Sequence, residues 1–182
     1  GSAIYKQREQ QFEFLEGPVF ANIVLVDEIN RASPRTQSSL LEAMAEGQVT
    51  SDGTTRQLPS PFFIMATQNP IEMAGTFPLP EAQLDRFLIM LELGYPEYAD
   101  EVSILEREEH DNPLDTIEAI LTMDDILNLQ EQTQRVDVVR PLKEYIVQIN
   151  QATRIHPDVV LGISPRGGVA LQRCSQALAL IR

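Results

Sequence analysis

The chain is poor in the residues that covalent or metal cross-linking needs. It holds a single cysteine, Cys174, and two histidines, His110 and His156. One thiol excludes an internal disulfide, and the Cys/His spacing of a structural zinc site is absent. Cys174 sits in an apolar helical pattern and reads as a buried structural thiol. No apolar run approaches the ~20 residues of a membrane span. No signal peptide is visible, so the expected location is the cytoplasm. Basic residues are scarce: 14 Lys and Arg stand against 27 Asp and Glu, a formal charge of -13 with pI near 4.5. Such a field repels phosphate backbones and argues against general nucleic-acid binding, while leaving room for a local basic site. Gly1-Ser2, without an initiator Met, reads as an expression remnant, and the chain is expected to be a piece of a longer protein.

What is present is ordinary globular composition, 43% hydrophobic and 23% charged over 182 residues. That suffices for one sizeable core or two small ones. The centre of the pattern is Ile23-Val24-Leu25-Val26-Asp27-Glu28. Four apolar residues, three of them β-branched, read as a parallel strand buried on both faces. Two acids then arrive together at its carboxyl end, where open α/β sheets place their ligands. Adjacent carboxylates repel unless a cation or a water network holds them. The plain alternative is a buried strand that ends in two solvated acids.

Around this strand the elements follow in order. Ile4-Tyr5 and the alternating run Gln11 to Glu16 form a hairpin with a half-buried second strand. Ser33-Pro34 is an N-cap followed by proline at the first helical position, and Gly47 ends a helix over 34–46. Residues 48–58 read as a projecting hairpin turned by Asp52-Gly53. Phe62 to Ala66 is a second apolar strand, ending in Thr67-Gln68-Asn69-Pro70. If the two strands are neighbours, Asn69 lands beside the two acids and can both donate and accept hydrogen bonds there. Residues 71–79 are a loop. Pro80 to Asp85 makes a short helix that leads through Arg86 into a third apolar strand, Phe87 to Leu91. Gly94-Tyr95-Pro96 marks a domain boundary.

Everything after Pro96 reads helical, broken at Asn112-Pro113. Thr122 to Asp125 resembles a capping box with Asp in place of Glu or Gln. Leu142, Tyr145, Ile146, Ile149 and Leu178 are expected to be buried in a small core of their own. Ser164-Pro165 repeats the cap of the first helix. Arg166 follows in the first turn, where a cation opposes the helix dipole. A local conflict of that kind is commoner at functional sites.

Several of these stretches together resemble the MoxR family of AAA+ ATPases. They are Leu25 to Pro34, Gln48-Val49-Thr50, Ala66 to Pro70, Leu79 to Phe87 and Ser164-Pro165-Arg166. The resemblance covers nearly the whole chain in the right order. It implies a partial AAA+ P-loop core of α/β class at 3–95, followed by an all-α lid domain at 96–182. It assigns Asp27 to the Walker B acid that organises Mg²⁺ through water, and Glu28 to polarising the hydrolytic water. Asn69 becomes sensor 1, Arg86 the arginine finger that reaches a neighbouring subunit's nucleotide, and Arg166 sensor 2. The implied cofactors are ATP and Mg²⁺. The implied assembly is a homo-oligomeric ring, often a hexamer. Its partners would be client proteins or von Willebrand factor A domain proteins, in chaperone work that includes metal-cofactor insertion.

One family feature is missing. A Walker A loop needs Gly-Lys followed by Ser or Thr, and the only lysines are Lys6, after Tyr5, and Lys143, after Leu142. The strand that leads out of that loop lies, in the family, between the Asn69 strand and the strand after Arg86, so a gap is expected there. The end of the lid also reads as trimmed. The chain by itself is therefore expected not to bind ATP. The alternatives are a non-catalytic interaction module or a related motor. Of those motors, a magnesium-chelatase subunit suits the acidic charge better than a helicase, whose DNA-translocating loops would be basic.

Overall fold

The computed structural model describes residues 1–69, 75–108 and 116–182. His110, the break at Asn112-Pro113, Pro70 and the loop positions 71–74 lie outside the described residues. The chain divides into two compact units: Gly1–Phe87 with Ile163–Gly167, and Leu88–Gly162 with Gly168–Arg182.

Among the described residues the first unit holds three two-stranded sheets. Strands β1 (Ser2–Lys6) and β2 (Gln11–Leu15) pair antiparallel, with Ser2 opposite Leu15 and Lys6 opposite Gln11. The β2 strand is mostly exposed rather than half-buried: Phe12 and Leu15 stand open at 74% and 58%, and only Phe14 is partly covered. Strands β3 (Ile23–Val26) and β6 (Phe63–Ala66) are parallel neighbours, Ile23 opposite Phe63 and Val26 opposite Ala66. Strands β4 (Gln48–Ser51) and β5 (Thr54–Gln57) form the hairpin turned by Asp52 at φ 52° and Gly53 at φ 72°. Both turn residues need positive φ, which is why Asp-Gly suits a two-residue primed turn. This hairpin is not free-standing. The Arg56 guanidinium lies 3.6 Å from the centroid of the Phe14 ring of β2, a cation–π contact.

Helix α1 (Pro34–Glu46) starts and stops where its caps dictate. Ser33 Oγ accepts the Thr36 N–H, and Gly47 takes the left-handed conformation at φ 64°. The α1 helix supplies Leu41 to a core with Ile29 and Leu79, against which Val26, Met44, Ala66, Leu84 and Phe87 pack. Leu84 belongs to the short α2 (Glu81–Leu84).

Two strand expectations change. The Ile23–Val26 run is covered on one face only: Val24 and Val26 are half-buried, while Ile23 and Leu25 are 66% and 65% exposed. The run from Arg86 to Leu91 is not a strand. A strand exists only through a partner's hydrogen bonds, and no described strand lies beside this run. Phe87 packs against the core, but Leu88 to Leu91 stay open, Leu91 at 81%.

The second unit is helical: α3 (Tyr98–Glu108), α4 (Met123–Arg135), α5 (Arg140–Ile155) and α6 (Pro165–Ile181), the last beginning in the first unit. The Thr122/Asp125 capping box forms with both of its reciprocal bonds. Gln176 Nε2 donates to the Val136 carbonyl at 2.7 Å and ties α6 to the end of α4. Asn150 of α5 is buried, and a Cβ added at Gly168 of α6 would lie 2.3 Å from its Nδ2. The expected apolar core is not closed. Ile146 and Ile149 are half-buried, but Leu142, Tyr145 and Leu178 are 53%, 60% and 49% exposed. The helical stripe is real, yet the described helices cover only its Ile146–Ile149 side. Cys174 is likewise half-buried. No described helix is long and apolar enough to cross a membrane.

Candidate functional site

The parallel register of β3 and β6 builds the site. Val26 faces Ala66, so Asp27 and Thr67 leave the two carboxyl ends side by side. The crossover then closes into a knot of hydrogen bonds. The Thr67 N–H donates to the Val26 carbonyl at 3.0 Å, and the Thr67 carbonyl accepts from Ile29 N–H at 2.9 Å. The Thr67 hydroxyl donates to Asp27 Oδ1 at 2.6 Å and accepts from Glu28 N–H at 2.9 Å.

Glu28 itself is bent. It has φ 49° and ψ 53°, the left-handed region that non-glycine residues occupy only when their surroundings hold them there. The bend starts the short 3₁₀ turn Ile29–Arg31, in which Arg31 N–H returns to the Glu28 carbonyl at 2.8 Å. It also brings the side chains of Glu28 and Arg31 together: Arg31 Nη1 donates to Glu28 Oε2 at 2.6 Å. That hydrogen bond, and then the charge of Glu28, raise the Arg31 guanidinium above its ordinary value. The pair is solvent-exposed and adds little to stability. It leaves the Glu28 carboxylate turned toward Arg31.

Asn69 is reached from the other side. Asn30 Nδ2 donates to the Asn69 carbonyl at 3.1 Å, and the Asn30 carbonyl accepts from Phe77 N–H at 2.6 Å. Gln37, almost fully buried on α1, donates from Nε2 to the carbonyls of Ile29 at 3.1 Å and Phe77 at 2.8 Å. One amide side chain thus fastens the segment after the acids to the segment after Asn69.

Arg86 and Arg166 lie at a second junction. Arg86 Nη1 donates to the Leu41 carbonyl of α1 at 3.3 Å. Its neighbour Asp85 accepts from the Ser164 hydroxyl at 2.7 Å, and Ser164 Oγ in turn caps α6 by accepting Gly167 N–H at 3.1 Å. Arg166 follows in the first turn of α6 and is exposed.

Sequence reading singled out Asp27, Glu28, Asn69, Arg86 and Arg166. It passed over Thr67, Asn30 and Gln37. For Gln37 a signal existed: with Leu41 and Met44 it sits at i, i+4 and i+7, an amide on an apolar stripe. For Thr67 the only signal was the register of two runs forty positions apart.

Asp27 also has the chemistry that Mg²⁺ asks for. That ion keeps several waters and takes one or two carboxylates beside phosphate oxygens. Asp27 is exposed, and among the described residues its Oδ2 accepts no hydrogen bond.

Residues 1–89 match the ATPase family associated with various cellular activities (AAA), and residues 151–182 match the AAA lid domain. The uncharacterized protein YeaC of Bacillus subtilis is 54% identical over 181 residues, which cover 100% of this chain and 57% of YeaC. Chaperone MoxR1 of Mycobacterium tuberculosis is 42% identical over 191 residues, 100% of this chain and 50% of MoxR1. The crystal structure of a candidate ATPase from Cytophaga hutchinsonii superposes with a TM-score of 0.86 at 37% identity, over 98% of this chain and 57% of that one. The chain therefore spans about half the length of the curated relatives it matches. The two family models match in succession along this chain, and the chain belongs to the MoxR family of AAA+ ATPases.

Proposed function

We propose that the full-length protein hydrolyses ATP, and that this chain contributes the water-activating half of the site. The observation that carries the reading is the pairing of β3 with β6. It sets two acids, one of them in a held left-handed bend, at the carboxyl end of a parallel sheet, where Asn30 Nδ2 bonds the Asn69 carbonyl.

Bound Mg²⁺ would offset the charge of the phosphates. Asp27 would hold the cation's water through the carboxylate oxygen that Thr67 leaves open. Glu28, aimed by Arg31, would accept the proton of the attacking water. Asn69 would place that water by hydrogen bonding. Arg86 would meet the nucleotide of a neighbouring subunit, and Arg166, at the start of α6, would act as sensor 2. The 3–95 segment would then serve as catalytic core and 96–182 as lid. The lysine-bearing phosphate loop is not in this sequence, so nucleotide binding is a property of the whole protein, and the present chain alone binds none. The wider role, by likeness to a relative named a chaperone, is remodelling of a protein client by a ring, probed best with a hexamer in mind. A von Willebrand factor A domain partner and metal-cofactor insertion belong to the same reading.

The test is Glu28→Gln in the full-length protein. The substitution keeps size and hydrogen bonding but removes the base, a group worth about 10²–10⁴ in rate. Hydrolysis should fall by that order while a fluorescent ATP analogue still binds with unchanged affinity. Hydrolysis that persists at the wild-type rate would remove Glu28 from the reaction.

A further inference from the structure

We propose that Thr67 is the positioning residue of this site: its hydroxyl fixes the rotation of the Asp27 carboxylate and the left-handed bend of Glu28 at once. The significance of this for hydrolysis rests on the ATPase reading above; the geometry does not.

The four main-chain and side-chain polar functions of Thr67 all terminate on residues 26 to 29. Its N–H goes to Val26, its hydroxyl proton to Asp27, its hydroxyl lone pair to Glu28 N–H and its carbonyl to Ile29 N–H. A hydroxyl has one proton to give. Because Oγ1 accepts from Glu28 N–H, its proton is free to point at Asp27, whose Oδ1 accepts it. The 2.6 Å separation is at the short end for a hydroxyl donor. The bond spends Oδ1 and turns Oδ2 outward as the one oxygen left for the water shell of a cation.

The second half concerns the backbone. Glu28 stays at φ 49° only if something rewards that conformation. The bend points Glu28 N–H at the Thr67 hydroxyl, 2.9 Å away, and the same bend carries the Glu28 side chain to Arg31. Removing the hydroxyl leaves that amide without its acceptor and lets both the bend and the carboxylate direction relax. Sidewall packing by a β-branched residue does not explain this pattern. Valine would fill the same space with none of these two side-chain bonds.

The experiment uses the full-length protein with Thr67→Val and Thr67→Ser, and two readouts. The first is amide hydrogen exchange at Glu28. The valine variant should exchange about fivefold faster or more there, the effect of losing one hydrogen bond, and the serine variant should match wild type. The second is steady-state hydrolysis. A partner that orients a metal-organising ligand is worth about 10- to 100-fold, so Thr67→Val should lower kcat by that factor with KM for ATP nearly unchanged. Thr67→Ser should recover most of the rate. Should the valine variant not fold, Thr67→Ala takes its place with the same expectations. Unchanged exchange at Glu28 in a folded Thr67→Val or Thr67→Ala protein overturns the proposal. So does a serine variant as impaired as valine, which would make the methyl group the working part. If wild-type protein shows no hydrolysis, the ATPase reading fails, and the exchange arm still decides whether the hydroxyl holds Glu28.

Discussion

Asp125 shows how a single exposed carboxylate reports on its helix. The Thr122 N–H and hydroxyl both donate to Asp125 Oδ2, at 2.8 and 2.6 Å, and Asp125 N–H returns to the Thr122 hydroxyl at 3.2 Å. The hydroxyl first, and then the amide, hold the Asp125 carboxyl below its ordinary value. The folded protein therefore binds this proton less readily than the unfolded chain does. The stabilisation is complete above the ordinary aspartate range and is lost as pH falls through the lowered folded value. A side-chain NMR titration should place Asp125 below the usual carboxylate range. Thr122→Ala should move it back up, even though the Thr122 amide remains. An unmoved midpoint would mean that the hydroxyl does not hold the carboxylate. Adjacent residues such as these were readable from the sequence, as was the Asp27-Glu28 pair. The hydroxyl of Thr67 was not, because its meaning comes from a register forty positions away.

At the scale of elements, the caps were legible and the burial was not. Ser33-Pro34 and Gly47 bound α1 where the sequence places them, since a cap is a contract between neighbours in the chain. The run from Leu88 to Leu91 and the stripe through Leu142, Tyr145 and Leu178 are apolar in the sequence yet open in the fold. Hydrophobic periodicity says that a face wants a partner; it does not say that the partner is among these residues. Close helix contact is a third kind of case, invisible in either pattern. A Cβ at Gly168 would stand 2.3 Å from Nδ2 of buried Asn150, whose Oδ1 already has no partner among the described residues. Gly168→Ala gains about 1 kcal/mol of helix propensity and meets an overpacking cost of about 1–3 kcal/mol. It should therefore be neutral to destabilising, by up to about 2 kcal/mol in denaturant unfolding. In an Asn150→Ala background the obstacle is gone, and the same glycine substitution should become stabilising. Equal effects in both backgrounds would show that the two helices do not meet through this pair.

At the scale of the whole molecule, the proposed ring would put Arg86 to work either within its own subunit or across to the next. Its guanidinium donates to the Leu41 carbonyl at 3.3 Å, at the long end for such a bond. Asp85, the nearest acid in sequence, is engaged by Ser164 instead. A purely structural arginine would be expected to hold a shorter or charged partner. A residue whose side chain is kept in place, among the described residues, by one weak bond is available to something outside the chain. In the full-length protein, Arg86→Ala should spare ATP binding, because the charge is needed only as the transition state forms. It should lower the rate by about 10³-fold or more if it acts as an arginine finger. Glu28→Gln should be similarly slow for the different reason that it lacks the base. Each uniform ring is then nearly inactive, but a mixed ring need not be. Where an Arg86→Ala subunit supplies Glu28 and its Glu28→Gln neighbour supplies Arg86, one interface is whole. Mixing the two inactive proteins should restore part of the hydrolysis rate once subunits exchange, which energy transfer between labelled subunits can establish. If Arg86 serves only α1 of its own chain, the Arg86→Ala subunit is damaged in itself and no neighbour can repair it. Demonstrated exchange without any recovery of rate would therefore confine Arg86 to its own subunit.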